Sequence, residues 1–337
     1  MNSATISAPT SMQSVRNMPP VLMEVKLTAV ENLAVDVCSF EFAPANGQVL
    51  PPFSAGSHID IHLPSGKIRQ YSLCNDSAEQ GRYVVAALKN PNGRGGSVEM
   101  HTLREDCIVK ISSPRNHFPL SEDASHHVLV AGGIGITPMM SMIAQLQGNR
   151  ESFHLHYCTR SVQRTAFLQE VQSLVDAGLA TIYYDEGQEC KLNFSTEFRD
   201  FEVGDHLYYC GPNGFMNAMQ RATAHWPRGQ VHFERFGAAE RDETPVATSL
   251  RNAFTVELAR RGTTHTVNPD ESIVDMLSRE GIDVDVSCKE GYCGTCMTRY
   301  LAGIPEHHDT VLDEDDKKEY VMVCCARAIS EKLVLDL

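Results

Sequence analysis

The sequence is short of positive charge. Its 337 residues hold 29 Lys and Arg against 43 Asp and Glu, a formal net charge of −14. Phosphate backbones and anionic bilayers are both recognised through clustered Lys and Arg, so this balance argues against a nucleic-acid or membrane-surface protein. No apolar run approaches the ~18 residues of a membrane span, and the start carries no secretory signal pattern. A soluble, cytoplasmic protein is expected. The eleven Cys are an odd number in a chain without an export signal, which argues against a disulfide scaffold and leaves metal ligands or core residues. Internal repeats and low-complexity tracts are missing too. What remains is ordinary globular material, 42% hydrophobic and 21% charged, enough for two or three domains.

The chain changes character along its length. Residues 1–20 are small, polar and Pro-ended, and read as a disordered tail. From Val21 to about Ile111, short apolar runs such as VLMEVKLTAV, HIDIHLPSG and RYVVAALKN alternate with turn residues. That spacing predicts an antiparallel β-barrel or sandwich. After Ser121, strand-like and helix-like segments alternate: HHVLVAGG, TPMMSMIAQLQ, FHLHYCTR, AFLQEVQSLVDAG, ATIYYDE, HLYYCGP and NGFMNAMQRATAHW. Alternation of this kind predicts a doubly wound, mostly parallel α/β sheet. A charged, Pro-containing stretch near 238–252 reads as a linker. A third unit follows from Ala253. The domains expected are therefore 21–122, 123–238 and 253–337, with 239–252 between the last two. Residues 251–337 hold 10 Lys and Arg and 17 Asp and Glu, so half the net charge sits in about a quarter of the chain.

Five of the Cys crowd the third unit. Cys288-x4-Cys293-x2-Cys296, with Cys324 far downstream, is the plant-type spacing of a [2Fe–2S] cluster. Four thiolates must converge on two irons, three from one loop and the fourth from a distant strand. Gly291 and Gly294 suit the backbone of such a loop. A zinc site would favour a second Cys-x2-Cys pair, which is missing. Cys325 is expected on the opposite strand face, in the core; an exchange of roles with Cys324 stays open.

In the middle unit, strand residues VLVA lead into Gly132-Gly133-Ile134-Gly135 and then Thr137-Pro138 at a helix start. Glycines let the backbone approach a pyrophosphate, and the helix start favours its charge. The GxGxxG fingerprint is missing, so a plain strand–helix turn remains the alternative. Cys210-Gly211-Pro212 marks a second strand end, and ligands of open α/β sheets bind at such ends. Thr159 and Arg160 close a third strand. Asp185 closes a fourth and could accept a ribose hydroxyl, which would favour NADH over NADPH; simple turn chemistry is its alternative. In the first unit, Arg69-Gln70-Tyr71-Ser72 and Arg94-Gly95-Gly96-Ser97 together offer an anion cradle and a platform for a flat ring, with an exposed strand and a plain loop as their alternatives.

Taken together, the fragments RQYSLCND, NGRGGS, AGGIGITPM, CGP, HFE-x-FGA and the closing LVLDL, with the plant-type Cys set at the C-terminal end, resemble the phthalate dioxygenase reductase family. The resemblance covers nearly the whole chain after the tail. It implies a flavin barrel, an NAD domain and a β-grasp ferredoxin domain in that order. Arg69, Gln70, Tyr71 and Ser72 would hold FMN, with Ser72 near the reactive ring nitrogen. Gly95, Gly96 and Ser97 would bind the FMN phosphate beside Arg94. Ala87 and Leu88 would lie along the ring or ribityl chain, and Thr137 would reach the flavin from the NAD domain. Phe236 would shield the flavin face, with Cys210 and Glu234 bordering the nicotinamide pocket. The family spacing assigns Cys324 as the fourth cluster ligand. The implied activity is an NADH-dependent reductase, a monomer, that feeds a Rieske-type oxygenase or O-demethylase. Alternatives are a di-iron hydroxylase as acceptor or a non-catalytic iron–sulfur redox sensor.

Overall fold

The alternation of the first unit becomes an antiparallel sheet that closes on itself. In the computed structural model, residues 22–47, 49–186, 191–236, 252–286, 289, 291, 294–309, 311–312 and 315–337 are described. The tail 1–20, nearly all of the linker 239–252, and Cys190, Cys288 and Cys293 lie outside them. Strands β1 (Leu22–Ala34), β2 (Val37–Pro44), β3 (Ser57–His62), β4 (Ile68–Ser72), β5 (Tyr83–Leu88), β6 (Ile108–Ser112) and β7 (Arg115–Asn116) form one sheet. Its order is β4-β3-β6-β1-β2-β5, with β7 on β3. A bridge between Leu73 and Val85 joins the two ends, so the sheet becomes a barrel with few open edges. Residues two apart point inward and are buried: Val25 and Leu27, Phe40 and Phe42, Ile59 and Ile61, Val109 and Ile111. β3 departs from this pattern, because His58 and Asp60 on its other face are buried as well. Something other than the barrel core covers that face. A short helix, α1 (Gly96–Met100), follows the glycine turn.

The middle unit forms a wholly parallel sheet. Its strands are β8 (His126–Gly132), β9 (Phe153–Thr159), β10 (Ala180–Tyr184), β11 (Asp205–Gly211) and β12 (Val231–Arg235), in the order β10-β9-β8-β11-β12. The order reverses between β8 and β11, which is where a crevice opens at the strand ends. Helices α2 (Ile136–Asn149) and α3 (Leu168–Asp176) cover one face through Met139, Met142, Leu146, Val171 and Leu174. The short α4 (Phe194–Glu197) and α5 (Asn213–Ala222) cover the other, with Met216, Met219 and Trp226 packed against Val130 and Tyr209. The Trp226 indole N–H donates to the Phe198 carbonyl at 2.9 Å, so this residue is structural. Ala55, Cys74, Ala86 and Phe118 of the barrel share one apolar cluster with Leu129, Met139 and Tyr208 of the parallel sheet. The two units therefore meet through a common core.

The third unit places β13 (Phe254–Leu258), β14 (Thr263–Val267), β15 (Met297–Ala302), β17 (Tyr320–Met322) and β19 (Lys332–Leu335) in the order β14-β13-β19-β15-β17. β13 and β19 are parallel, and α6 (Ile273–Arg279) packs across the sheet with Ile273, Val274, Met276 and Leu277 buried. This is the β-grasp arrangement. Ser272 and Asp275 form a reciprocal cap that satisfies the donors at the start of α6. A two-stranded ladder joins β16 (Pro305–Glu306) to β18 (Arg327–Ala328).

One expectation is corrected here. Cys324 and Cys325 do not lie on a strand, because β17 ends at Met322 and the chain turns through residues 323–325. The two side chains are therefore not forced to opposite faces. Cys324 is buried, whereas Cys325 is only partly so, and its sulfur lies against Gly291.

Candidate functional site

A cavity of about 420 Å³ opens where the three sheets meet. The barrel contributes His58, Gln70, Tyr71, Ser72 and His117. The parallel sheet contributes Val231 to Phe236 at its β12 edge, and the third unit contributes Val311 and Leu312. Of the predicted residues, Gln70, Tyr71, Ser72, Glu234 and Phe236 share this cavity. Burial pushes the Tyr71 phenol up to about 12, so it stays protonated. The Gln70 amide nitrogen is buried without a hydrogen-bond partner. Buried polar atoms of this kind normally have partners, so the cavity is matched to a polar guest. A flat heteroaromatic ring with acceptors on its edge fits the Gln70 donor and the Tyr71 ring.

Ser72 ends β4 and Glu234 lies on β12, 162 residues later. The Ser72 hydroxyl donates to the Glu234 carboxylate at 3.3 Å. The other Glu234 oxygen stands 3.7 Å from His58 Nδ1. Burial raises Glu234 to about 7, opposed in part by the Ser72 hydrogen bond, so it exchanges a proton near neutrality. Burial lowers His58 well below the usual imidazole range, and the nearby Arg115 and His117 add to this, so His58 is neutral. Cys210 is the register partner of Glu234 on β11 and is fully buried. Burial and the Glu234 charge push its thiol well up, so it is uncharged, and it stands behind Glu234 without lining the cavity.

The anion cradle lies beside the cavity. The Arg69 guanidinium donates to the carbonyls of Ile68 at 2.8 Å and Arg94 at 3.3 Å, which ties β4 to the glycine turn. A Cβ on Gly96 would stand 2.2 Å from Arg69 Nε, so this position accepts only glycine. Gly95 has a positive φ of 77°. The Ser97 oxygen accepts the Asn90 N–H at 3.0 Å and keeps its own proton for donation. Arg69 retains further donors, so a phosphate fits here. Leu88 is exposed at the end of β5, while the Ala87 side chain faces the barrel core and brings only its backbone toward the site.

The nucleotide residues gather at the carboxyl ends of the parallel strands. Gly132 ends β8 and Gly133 and Gly135 follow it, while Gly211 ends β11 and Pro212 follows it. A Cβ on Gly135 would lie 2.1 Å from the Cys210 carbonyl, so the two strand ends can approach only through glycine. Thr137 is buried, and its hydroxyl donates to the Ile134 carbonyl at 3.0 Å. The N–H of Asp185 donates to the Thr159 carbonyl, and that of Glu186 to the Arg160 carbonyl. These residues form a second group, outside the cavity. In the third unit, Cys296 and Cys324 are both buried in one core cluster. Cys288 and Cys293 lie outside the described residues. The Gly294 backbone faces the His117 ring, at 3.6 Å from where its Cβ would be, so Gly294 borders the barrel.

His58, His117, Val311 and Leu312 were not predicted. In HIDIH, alternation puts His58 and Asp60 on the face away from the barrel core, so the sequence gives no sign that both are buried. Arg115 and His117 of the barrel cover that face together with Glu234 of the parallel sheet.

A closed flavin-type barrel, a parallel nucleotide sheet and a β-grasp unit with plant-type Cys spacing define a reductase that carries electrons from a pyridine nucleotide to an iron–sulfur centre. Comparison with known proteins agrees. Residues 256–328 match the 2Fe-2S iron-sulfur cluster binding domain family. Residues 110–227 match the family of the dimethylamine monooxygenase subunit DmmA-like N-terminal domain. The chain is 42% identical over 321 residues to the phthalate dioxygenase reductase of Burkholderia cepacia, covering 94% of this chain and 97% of that protein. It is 40% identical over 327 residues to the reductase subunit of tert-butanol monooxygenase / tert-amyl alcohol desaturase from Aquincola tertiaricarbonis, covering 95% and 97%. The crystal structure of phthalate dioxygenase reductase, described as modular for electron transfer from pyridine nucleotides to [2Fe-2S], superposes with a TM-score of 0.69 at 41% identity, covering 94% and 98%. An intact type IV self-sufficient cytochrome P450 monooxygenase gives a TM-score of 0.84 at 35% identity, and this chain spans 41% of its length. The chain belongs to the phthalate dioxygenase reductase family. Among the described residues no helix is long and apolar enough to cross a membrane.

Proposed function

We propose that this protein is the NADH-dependent reductase component of an oxygenase system, passing electrons from NADH through FMN and a [2Fe–2S] cluster to a separate Rieske-type oxygenase or O-demethylase. The observation that carries this reading is the convergence of all three units on one cavity of about 420 Å³. NADH yields two electrons as a hydride, the cluster takes one at a time, and a flavin between them accepts the pair and releases it singly. The chain's own residues bind, orient and shield. Arg69 with Gly95, Gly96 and Ser97 holds the FMN phosphate. Tyr71 and Phe236 cover the ring, and Ser72 and Glu234 sit at its reacting edge. Gly132, Gly133, Gly135, Gly211 and Pro212 hold the pyrophosphate. Thr159, Arg160 and Asp185 hold the adenosine side, with Asp185 selecting an unphosphorylated ribose. Cys288, Cys293, Cys296 and Cys324 hold the cluster. The domains run 21–122, 123–238 and 253–337. The protein works in the cytoplasm as a monomer, and neither nucleic acid nor a membrane is its partner.

Cys288→Ser tests the division of labour. NADH still bleaches the flavin absorbance in stopped flow within about threefold of the wild-type rate, while cytochrome c reduction is lost. Loss of both in folded protein would refute the scheme. Cofactor extraction identifies FMN. An iron–sulfur redox sensor would show no steady NADH turnover with any artificial acceptor.

A further inference from the structure

Oxidation of one NADH to NAD⁺ leaves two electrons and one proton in the protein, and an iron–sulfur cluster carries away only the electrons. One proton must therefore leave a largely enclosed site in every turnover. We propose that His58 and His117 carry that proton from Glu234 to solvent. This rests on the reductase reading above and extends it to two residues that no part of that reading uses.

The route is continuous in the fold. The Ser72 hydroxyl contacts one Glu234 oxygen at 3.3 Å, and His58 Nδ1 stands 3.7 Å from the other. Such contacts are commonly long before a site is loaded, and a small side-chain rotation closes this one. His58 keeps only 3% of its surface exposed, and neither ring nitrogen has a hydrogen-bond partner. Leaving an imidazole buried with two unpaired nitrogens is costly, so a working role offsets that cost. The His58 ring stacks on His117 with centroids 5.4 Å apart and planes at 29°. His117 is exposed. Transfer breaks the Glu234 O–H bond and forms Nδ1–H on His58. His58 then gives up the proton on Nε2 to a water beside His117, which passes it out, and a flip of the neutral ring presents the bare nitrogen to Glu234 for the next turnover. Burial keeps His58 neutral at rest, and the Arg115 and His117 charges add to this. Glu234 faces it from β12, and Arg115 and His117 face it from the barrel. Asp60 pairs with Arg115 at 2.7 Å, and Asp285 of the third unit faces both. A neutral imidazole relays a proton, whereas a cationic one would trap it.

The test uses the holoenzyme, NADH and cytochrome c in weak buffer with a pH-indicator dye, under stopped flow. In His58→Gln, flavin bleaching by NADH stays within about twofold of wild type. Proton release and electron delivery slow by at least about tenfold, and added imidazole restores them. His117→Gln, an exposed change that leaves folding intact, shows a smaller slowing with the same rescue. A readout independent of turnover is ¹⁵N-histidine NMR: the His58 midpoint rises in Arg115→Gln, because a facing cation is removed. Unchanged proton release in both histidine variants overturns the proposal, as does a slowing that imidazole does not restore. If the wild-type flavin fails to bleach with NADH, the reductase reading itself falls, independently of this relay.

Discussion

Burial at a single residue sets the proton chemistry of the site. Glu234 is held at about 7, well above an ordinary glutamate, because its charged form is desolvated where β12 meets the barrel. The sign of its effect on stability follows. The folded state holds the proton more tightly than the unfolded chain, so the cost appears as pH rises from the usual Glu range and is complete above about 7. Glu234→Gln removes that cost. Denaturant unfolding should show the variant more stable than wild type by about 1–3 kcal/mol at pH 8, with little difference at pH 4. Equal effects at both values would place the Glu234 carboxyl in water. Glu234 was legible in the HFE-x-FGA fragment through the family resemblance. Its partner His58 was not, because strand alternation alone puts His58 and Asp60 on a face open to solvent.

At the scale of elements, the parallel sheet is assembled around close approaches at its switch point. Gly135 lets the turn after β8 lie against the Cys210 carbonyl, where a Cβ would stand at 2.1 Å. Gly135→Ala must push β8 and β11 apart. We expect a loss of about 3 kcal/mol or more and weaker NADH binding, read by thermal unfolding and by nucleotide titration. Gly148→Ala is the control: a Cβ there meets open space on α2, and helix propensity favours alanine by up to about 1 kcal/mol. The strand–helix order of this unit was plain in the sequence, since each element carries its own hydrophobic period. The turn holding Cys324 and Cys325 was read as a strand. Its apolar run YVMVCC ends in residues buried by the surrounding core rather than by ladder pairing, and composition cannot separate the two.

At the scale of the molecule, charge is unevenly placed. Residues 251–337 carry a net −7 of the total −14, on the unit that must meet the electron acceptor. Turnover with the partner oxygenase should fall severalfold between low and moderate salt if this charge steers docking to a basic surface, and a flat response would exclude steering. The run Asp313 to Asp316 is the densest acidic stretch of this unit. Its described end leads into a short turn at Asp316–Lys318, where Lys318 pairs with Asp315 at 2.5 Å, as in a solvated charged turn. By itself the sequence determined the three units, their order, the cysteine spacing and the glycine turns. Each rests on local periodicity or on residue types close in the chain. Only the tertiary structure decided that Ser72, His58, Glu234 and Leu312 line one cavity, that β3 is buried on both faces, and that His117 borders Gly294. Those contacts join residues from separate sheets, and the packing that brings them together leaves no period in any one segment.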